Sequence, residues 1–118
     1  MDTLTNLPGK MMNLQIKDKT MLYNSYMPFL EHGGIFIPTE DIFSLNDEVL
    51  LVLELPNQAG KKFLRTNVAW INLARTSANR PKGVGLAFGT DAICIQTKNA
   101  IENELGNLLK SDKATFTL

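Results

Sequence analysis

The sequence predicts a mainly β domain: about six short strands followed by one C-terminal helix, packed as a sandwich or small barrel. Three observations point to it. Apolar and polar residues alternate in several runs, as in Met12, Leu14 and Ile16 against Asn13, Gln15 and Lys17. Turn signals separate these runs at short intervals, at Pro8-Gly9, Gly33-Gly34, Leu45-Asn46-Asp47 and Pro56 to Gly60. The period then changes, and Ile93, Thr97, Ile101, Leu105, Leu108 and Leu109 recur at helical spacings.

Residues 1–10 read as a loose N-terminal arm, residues 11–110 as the domain and residues 111–118 as a short tail. The first strand covers Met12, Leu14 and Ile16, and Asp18-Lys19 makes a turn. Met21 to Leu30 is rich in Tyr, Met, Leu and Phe and reads as a second strand. Pro28 places that strand at a sheet edge or bulge, because proline donates no ladder hydrogen bond. Gly33-Gly34 allows positive φ in a tight turn before Ile35-Phe36-Ile37, which Pro38 ends. Thr39 to Asp47 is a polar connection. In Glu48 to Leu55 one face carries Val49, Leu51, Leu53 and Leu55 and the other Leu50 and Val52, so both faces are expected to be covered. Lys61 to Asn72 returns as a long strand holding Trp70, and Ala74 to Lys82 is a polar loop. In Gly83 to Phe88, Val84, Leu86 and Phe88 share a face opposite Gly83, Gly85 and Ala87. Thr90 or Asp91 caps the final helix, which runs towards Lys110 and is weakened at Gly106.

Length and composition fit one soluble domain of 118 residues, 44% hydrophobic and 20% charged. The single cysteine, Cys94, excludes an internal disulfide and a four-cysteine zinc site, and points to a reducing cytoplasm. The opening MDTLTNLPGKMMNL lacks the apolar core of a signal peptide, and the longest apolar run, Val49 to Leu53, is too short for a membrane span. Net charge is zero but segregated. Glu31, Glu40, Asp41, Asp47, Glu48 and Glu54 give residues 20–60 a charge of −6, and Lys61, Lys62, Arg65, Arg75, Arg80 and Lys82 give residues 61–90 a charge of +6. Either adjacent strands pair these charges, or one surface is basic towards an acidic partner or a phosphate. The basic excess of a dedicated nucleic-acid binder is missing.

No catalytic pattern is present. His32 is the lone histidine and sits beside two glycines, a turn context, while Cys94 near the start of the helix has no histidine close in sequence and reads as a packed thiol. There is no phosphate loop, dinucleotide fingerprint or metal-ligand spacing, so neither an enzyme nor a cofactor site is expected. Phe36, Phe63, Trp70 and Phe88 lie in alternating strands and read as core. Tyr23, Tyr26 and Phe29 are spaced by three, so a strand would put Tyr23 and Phe29 on one face and Tyr26 on the other. Either the second aromatic face meets the C-terminal helix, or it is exposed for another protein.

Taken in order, the Gly-Gly turn and strand GGIFIP, the Leu-x-x-Asp turn and long strand LNDEVLLVLEL, the Val-x-Trp strand NVAWI and the Gly-x-Gly-x-x-Phe strand GVGLAF resemble the PilZ domain family from about Leu14 to Leu109. The resemblance implies a six-stranded antiparallel β-barrel with a C-terminal α-helix. Many PilZ domains bind cyclic di-GMP through an Arg-x-x-x-Arg element before the barrel and an Asp/Asn-x-Ser-x-x-Gly turn. Here Gly34 matches the last glycine, but Glu31 stands at the serine and Phe29 at the Asp/Asn position. Phenylalanine cannot hydrogen-bond a guanine, and Glu31 would repel a dianion. No arginine precedes Arg65; Lys17 and Lys19 are the basic residues in the right region and lack the guanidinium fork.

The strings YMPFLEHGGIFIPT and KSDKATFTL are similar to a divergent branch of that family acting in type IV pilus biogenesis and twitching motility. What this resemblance implies is a cytoplasmic, non-enzymatic adaptor that does not itself bind cyclic di-GMP. Its implied partners are the pilus extension ATPase and a degenerate EAL-domain protein that binds the nucleotide, with no nucleic acid and no direct membrane insertion. The candidate contact residues are Tyr23, Tyr26, Met27 and Phe29, with Arg75 and Arg80 as an electrostatic rim. The alternative is a cyclic di-GMP receptor with a non-standard basic site around Arg75 to Lys82.

Overall fold

A computed structural model of the chain describes residues 10–73 and 81–110. Among these residues five strands form one sheet: β1 (Lys10–Gln15), β2 (Gly34–Pro38), β3 (Glu48–Glu54), β4 (Lys62–Asn72) and β5 (Gly83–Phe88). Helix α1 (Lys19–Ser25) separates β1 from β2, and helix α2 (Ala92–Leu105) follows β5 and passes into a 3-10 turn at Gly106–Lys110. The strand order is β1-β3-β4-β5-β2. The sheet curls into a half-barrel, and its outer strands β1 and β2 do not meet.

This corrects the expected six-stranded, closed, antiparallel barrel in two respects. First, β1 pairs with β3 in parallel, while the β2–β5, β3–β4 and β4–β5 pairs are antiparallel. A period-two pattern says which residues share a face, not which way the neighbour runs. The long connection from β1 through α1 and β2 supplies the crossover that a parallel pair needs.

Second, the segment expected as a strand from Met21 to Leu30 begins as α1. Asp18 is its N-cap, with Oδ1 accepting a hydrogen bond from the Met21 N–H at 2.8 Å. Leu22, Ser25 and Tyr26 are all buried, and their spacing of three and four is the helical signal that the aromatic content masked. The helix stops where Tyr26 turns extended, and Tyr26 then makes a single antiparallel bridge to Ile35. The Met27 N–H continues this with a 2.9 Å bond to the Gly34 carbonyl, and Pro28 ends it.

The core lies between the inner sheet face and the helices. Ile35, Ile37, Val49, Leu51, Leu53, Leu64, Val68, Val84, Leu86 and Phe88 meet Leu22 of α1 and Cys94, Ile101 and Leu105 of α2. Each buried Leu, Ile, Val or Phe contributes roughly 1.5–3 kcal/mol of apolar transfer. Asp91 holds the N-cap position of α2 but makes no side-chain capping bond, and the helix ends at Gly106, short of Lys110. Phe63, expected in the core, is exposed, because Leu64, Thr66 and Val68 take the inward positions of β4. The pairing register slips between Val68 and Trp70, so Ala69 is an extra, bulged residue. Trp70 therefore faces outward opposite Gly85, and Ile71 returns to the inner face opposite Val84. Lys10, placed in the arm by sequence, opens β1; the rest of the arm and the tail lie outside the described residues.

Candidate functional site

Of the sequence-predicted residues, Tyr26, Met27, Phe29, Glu31 and Gly34 lie in the segment 26–34, which runs along the β2 edge of the sheet. Tyr26 is buried, and its hydroxyl donates a 2.6 Å hydrogen bond to Glu102 Oε2 on α2. Lys98 Nζ lies 4.0 Å from the same carboxylate oxygen. Burial first, and then the Glu102 carboxylate, push the Tyr26 phenol far above the ordinary tyrosine range, so it remains a donor.

The next residue points the other way. Met27 is fully buried outside the main core, on the outer sheet face. A Cβ added to Gly85 would sit 2.6 Å from Met27 Sδ and 2.8 Å from Trp70 Cβ, so the glycine makes the slot that the sulfur fills. Phe36, paired with Gly85 and also buried, lies beside it. These residues form a small apolar cluster across the sheet from the core.

Phe29 tops that cluster. Its ring meets Trp70 edge-on, with centroids 6.0 Å apart and planes at 62°, and the residue stays 43% exposed. Beyond Trp70 the apolar surface continues into a shallow depression of about 380 Å³ bounded by Leu45, Ala69, Ile71 and Leu73. A second cavity of about 280 Å³ shares Ile71 and Leu73 and adds Ile42, Phe43 and Lys82. Ile42 is 88% exposed and Leu73 76% exposed, and both line these depressions, so the exposed apolar residues are grouped here.

The structure thus separates the predicted contact residues. Tyr26 and Met27 are interior, which corrects their reading as candidate partner contacts, and Tyr26 meets the C-terminal helix, one of the two alternatives for the second aromatic face. Tyr23 is partly buried against the core, and Phe29 is on the surface. Arg75 and Arg80 lie outside the described residues. Sequence reasoning missed Ile42, Leu45 and Leu73. Their signal was a large aliphatic residue isolated in a polar connection or at a strand end, where no periodicity gave it a core face.

At Gly33-Gly34 the chain makes the tight turn that the glycines imply. Gly33 holds φ at 76°, and its own carbonyl accepts from the Phe88 N–H at 3.0 Å. A Cβ on Gly34 would lie 2.5 Å from the Leu86 carbonyl oxygen, so strand pairing alone requires glycine there. Glu31 projects into solvent, 3.8 Å from His32 Nε2. Lys82, in the alternative basic region, sits 3.5 Å from Glu40 Oε1, one pair between the acidic and basic segments. Cys94 is buried, and that burial, helped by Asp91, pushes its thiol up to about 11. Among the described residues no group of His, Cys, Asp or Glu could hold a metal ion, and no helix is long and apolar enough to cross a membrane.

A curled sheet backed by one long helix, with an apolar aromatic surface, defines a small β-rich binding module. Comparison with protein-family models makes this specific: the PilZ domain model matches residues 9–106. The chain belongs to the PilZ domain family, whose members are non-enzymatic adaptor or receptor modules related to cyclic di-GMP. No curated protein matches the chain.

Proposed function

We propose that this chain is a non-enzymatic adaptor in type IV pilus biogenesis and twitching motility, acting in the cytoplasm through protein contacts and not by binding cyclic di-GMP itself. The observation that carries this reading is the use of the ligand turn. Its Asp/Asn position is Phe29, whose ring is committed to Trp70 at 6.0 Å, and its serine position is the solvent-facing Glu31. Neither offers a donor to a guanine or a phosphate. Apolar surface adjoins this turn at Phe29 and Trp70, and such surface favours a protein partner.

The resemblance of YMPFLEHGGIFIPT to the type IV pilus assembly branch of the family supports the pilus extension ATPase and a degenerate EAL-domain protein as partners. Co-purification from native lysate tests the surface. Phe29→Ala and Trp70→Ala should each weaken capture of these partners by about tenfold or more if they are hot spots of one interface. Calorimetry with cyclic di-GMP tests the second half of the proposal, and no heat of binding is expected. Low-micromolar binding lost on replacing Arg75 or Arg80 by alanine would transfer the function to the basic loop and sink the adaptor reading.

A further inference from the structure

We propose that Glu102, on the helix behind the sheet, positions the Phe29–Trp70 pair on the opposite face by holding the hydroxyl of Tyr26. Two consecutive residues make this connection. Tyr26 reaches through the edge of the sheet to Glu102 at 2.6 Å, and Met27 projects outward into the slot over Gly85, against Trp70. A single planar peptide joins them, so a displacement of the Tyr26 backbone is carried into Met27.

The surroundings leave the phenol little room. The Tyr26 N–H donates to the Leu22 carbonyl at 2.9 Å and the Met27 N–H to the Gly34 carbonyl at 2.9 Å, so the backbone that carries the ring is tied to α1 on one side and to β2 on the other. A Cβ at Gly33 would come within 2.9 Å of the hydroxyl oxygen and 3.3 Å of Lys98 Cγ. The hydroxyl, Gly33 and the Lys98–Glu102 pair are therefore packed as one unit against α2. Further along, the Leu30 carbonyl accepts from the Gly33 N–H at 3.0 Å, closing the turn that presents Phe29. Pro28 and Phe29 lie between these anchors and inherit their placement.

Chemistry makes the connection adjustable. The Glu102 side chain is 36% exposed, so its carboxylate can turn to water, whereas the buried hydroxyl has no comparable exit. Removing the acceptor should loosen the segment more than weakening it. Glu102 is a positioning residue here, and it touches neither ring of the pair. That the pair contacts a partner rests on the adaptor reading above; the coupling across the sheet does not.

Trp70 is the chain's one tryptophan, so its fluorescence reports this site alone. In Glu102→Ala, acrylamide quenching of Trp70 should rise, and exchange of the Met27 amide should quicken on the order of tenfold, the factor one charge-assisted hydrogen bond carries. Glu102→Gln keeps an acceptor and should stay close to the parent in both readouts. Asn103→Ala, an exposed change on the same helix, should leave both unmoved. Should Glu102→Ala fail to fold, Tyr26→Phe removes the same bond without leaving a buried donor and should show the same two changes. Unaltered quenching and exchange in Glu102→Ala, or equal effects of the Gln and Ala variants, would overturn the proposal. Since neither readout involves a partner, loss of partner capture with normal coupling, or the reverse, tells the two readings apart.

Discussion

Gly85 has no side chain, and Met27 occupies the space that one would take. Any Cβ there would have to move a sulfur 2.6 Å away and a tryptophan Cβ 2.8 Å away. Gly85→Ala is therefore an overpacking change, expected to cost roughly 1–3 kcal/mol and to lower Tm by several degrees. Thermal unfolding followed by circular dichroism measures it. Gly85→Ala combined with Met27→Ala should recover part of the loss, because the smaller side chain reopens the slot. The alternation Gly83-Val84-Gly85-Leu86 showed in the sequence that one face of β5 is bare, but not what covers it. Met27 comes from 58 residues earlier in the chain, a distance that no local pattern spans.

At the level of elements, α1 shows how context overrides composition. Tyr, Met, Leu and Phe fill residues 21–30 and favour a strand, yet a seven-residue helix forms over Lys19–Ser25. A helix this short has little intrinsic stability and depends on its cap and on the burial of Leu22. Asp18→Ala should accordingly cost about 1 kcal/mol, through loss of the 2.8 Å bond to the Met21 N–H. Asp18→Asn or Asp18→Ser should restore most of it, and denaturant titration of the three variants gives the comparison. The strands β2 to β5 were legible because each alternates cleanly or sits between turn residues such as Asn46 and Gly60, both at positive φ. The direction of β1 was not, since either direction would bury Met12 and Leu14.

Across the whole molecule, the zero net charge and its segregation along the chain remain relevant to stability. Lys10 Nζ sits 3.0 Å from Asp47 Oδ2, tying the start of β1 to the turn before β3, and the Ser44 N–H donates to the same oxygen at 2.9 Å. The Ser44 amide, and then the Lys10 ammonium, hold the Asp47 carboxyl below its ordinary range. A carboxyl depressed in the folded state takes up its proton more readily in the unfolded chain. Its contribution is thus full above the unfolded value of about 3.9 and fades as pH falls through the lower folded value. Asp47→Asn should therefore be less stable than the parent at neutral pH, with the difference closing as pH falls through the acid range, as urea titrations from neutral to acid pH would show. The surface around Trp70 is also a whole-molecule property. It joins Phe29, Leu45, Ile71 and Leu73 from separate parts of the chain, which only the bulge at Ala69 and the curl of the sheet bring together.

Sequence alone determined the family and the β-rich class, because the turn residues and the alternation of Val49 to Leu55 and Val84 to Phe88 are local and periodic. It also determined which side chains fill the turn before β2, since the identities of Phe29 and Glu31 can be read directly. Tertiary structure decided how many strands form, the parallel placement of β1 and the fate of each aromatic. Tyr26 and Phe29 look alike as hydrophobic letters three apart, yet one is buried on a carboxylate of α2 and the other lies open on Trp70. The physical reason is that burial depends on what arrives from elsewhere in the chain, here Glu102 on one side of the sheet and the empty Gly85 on the other.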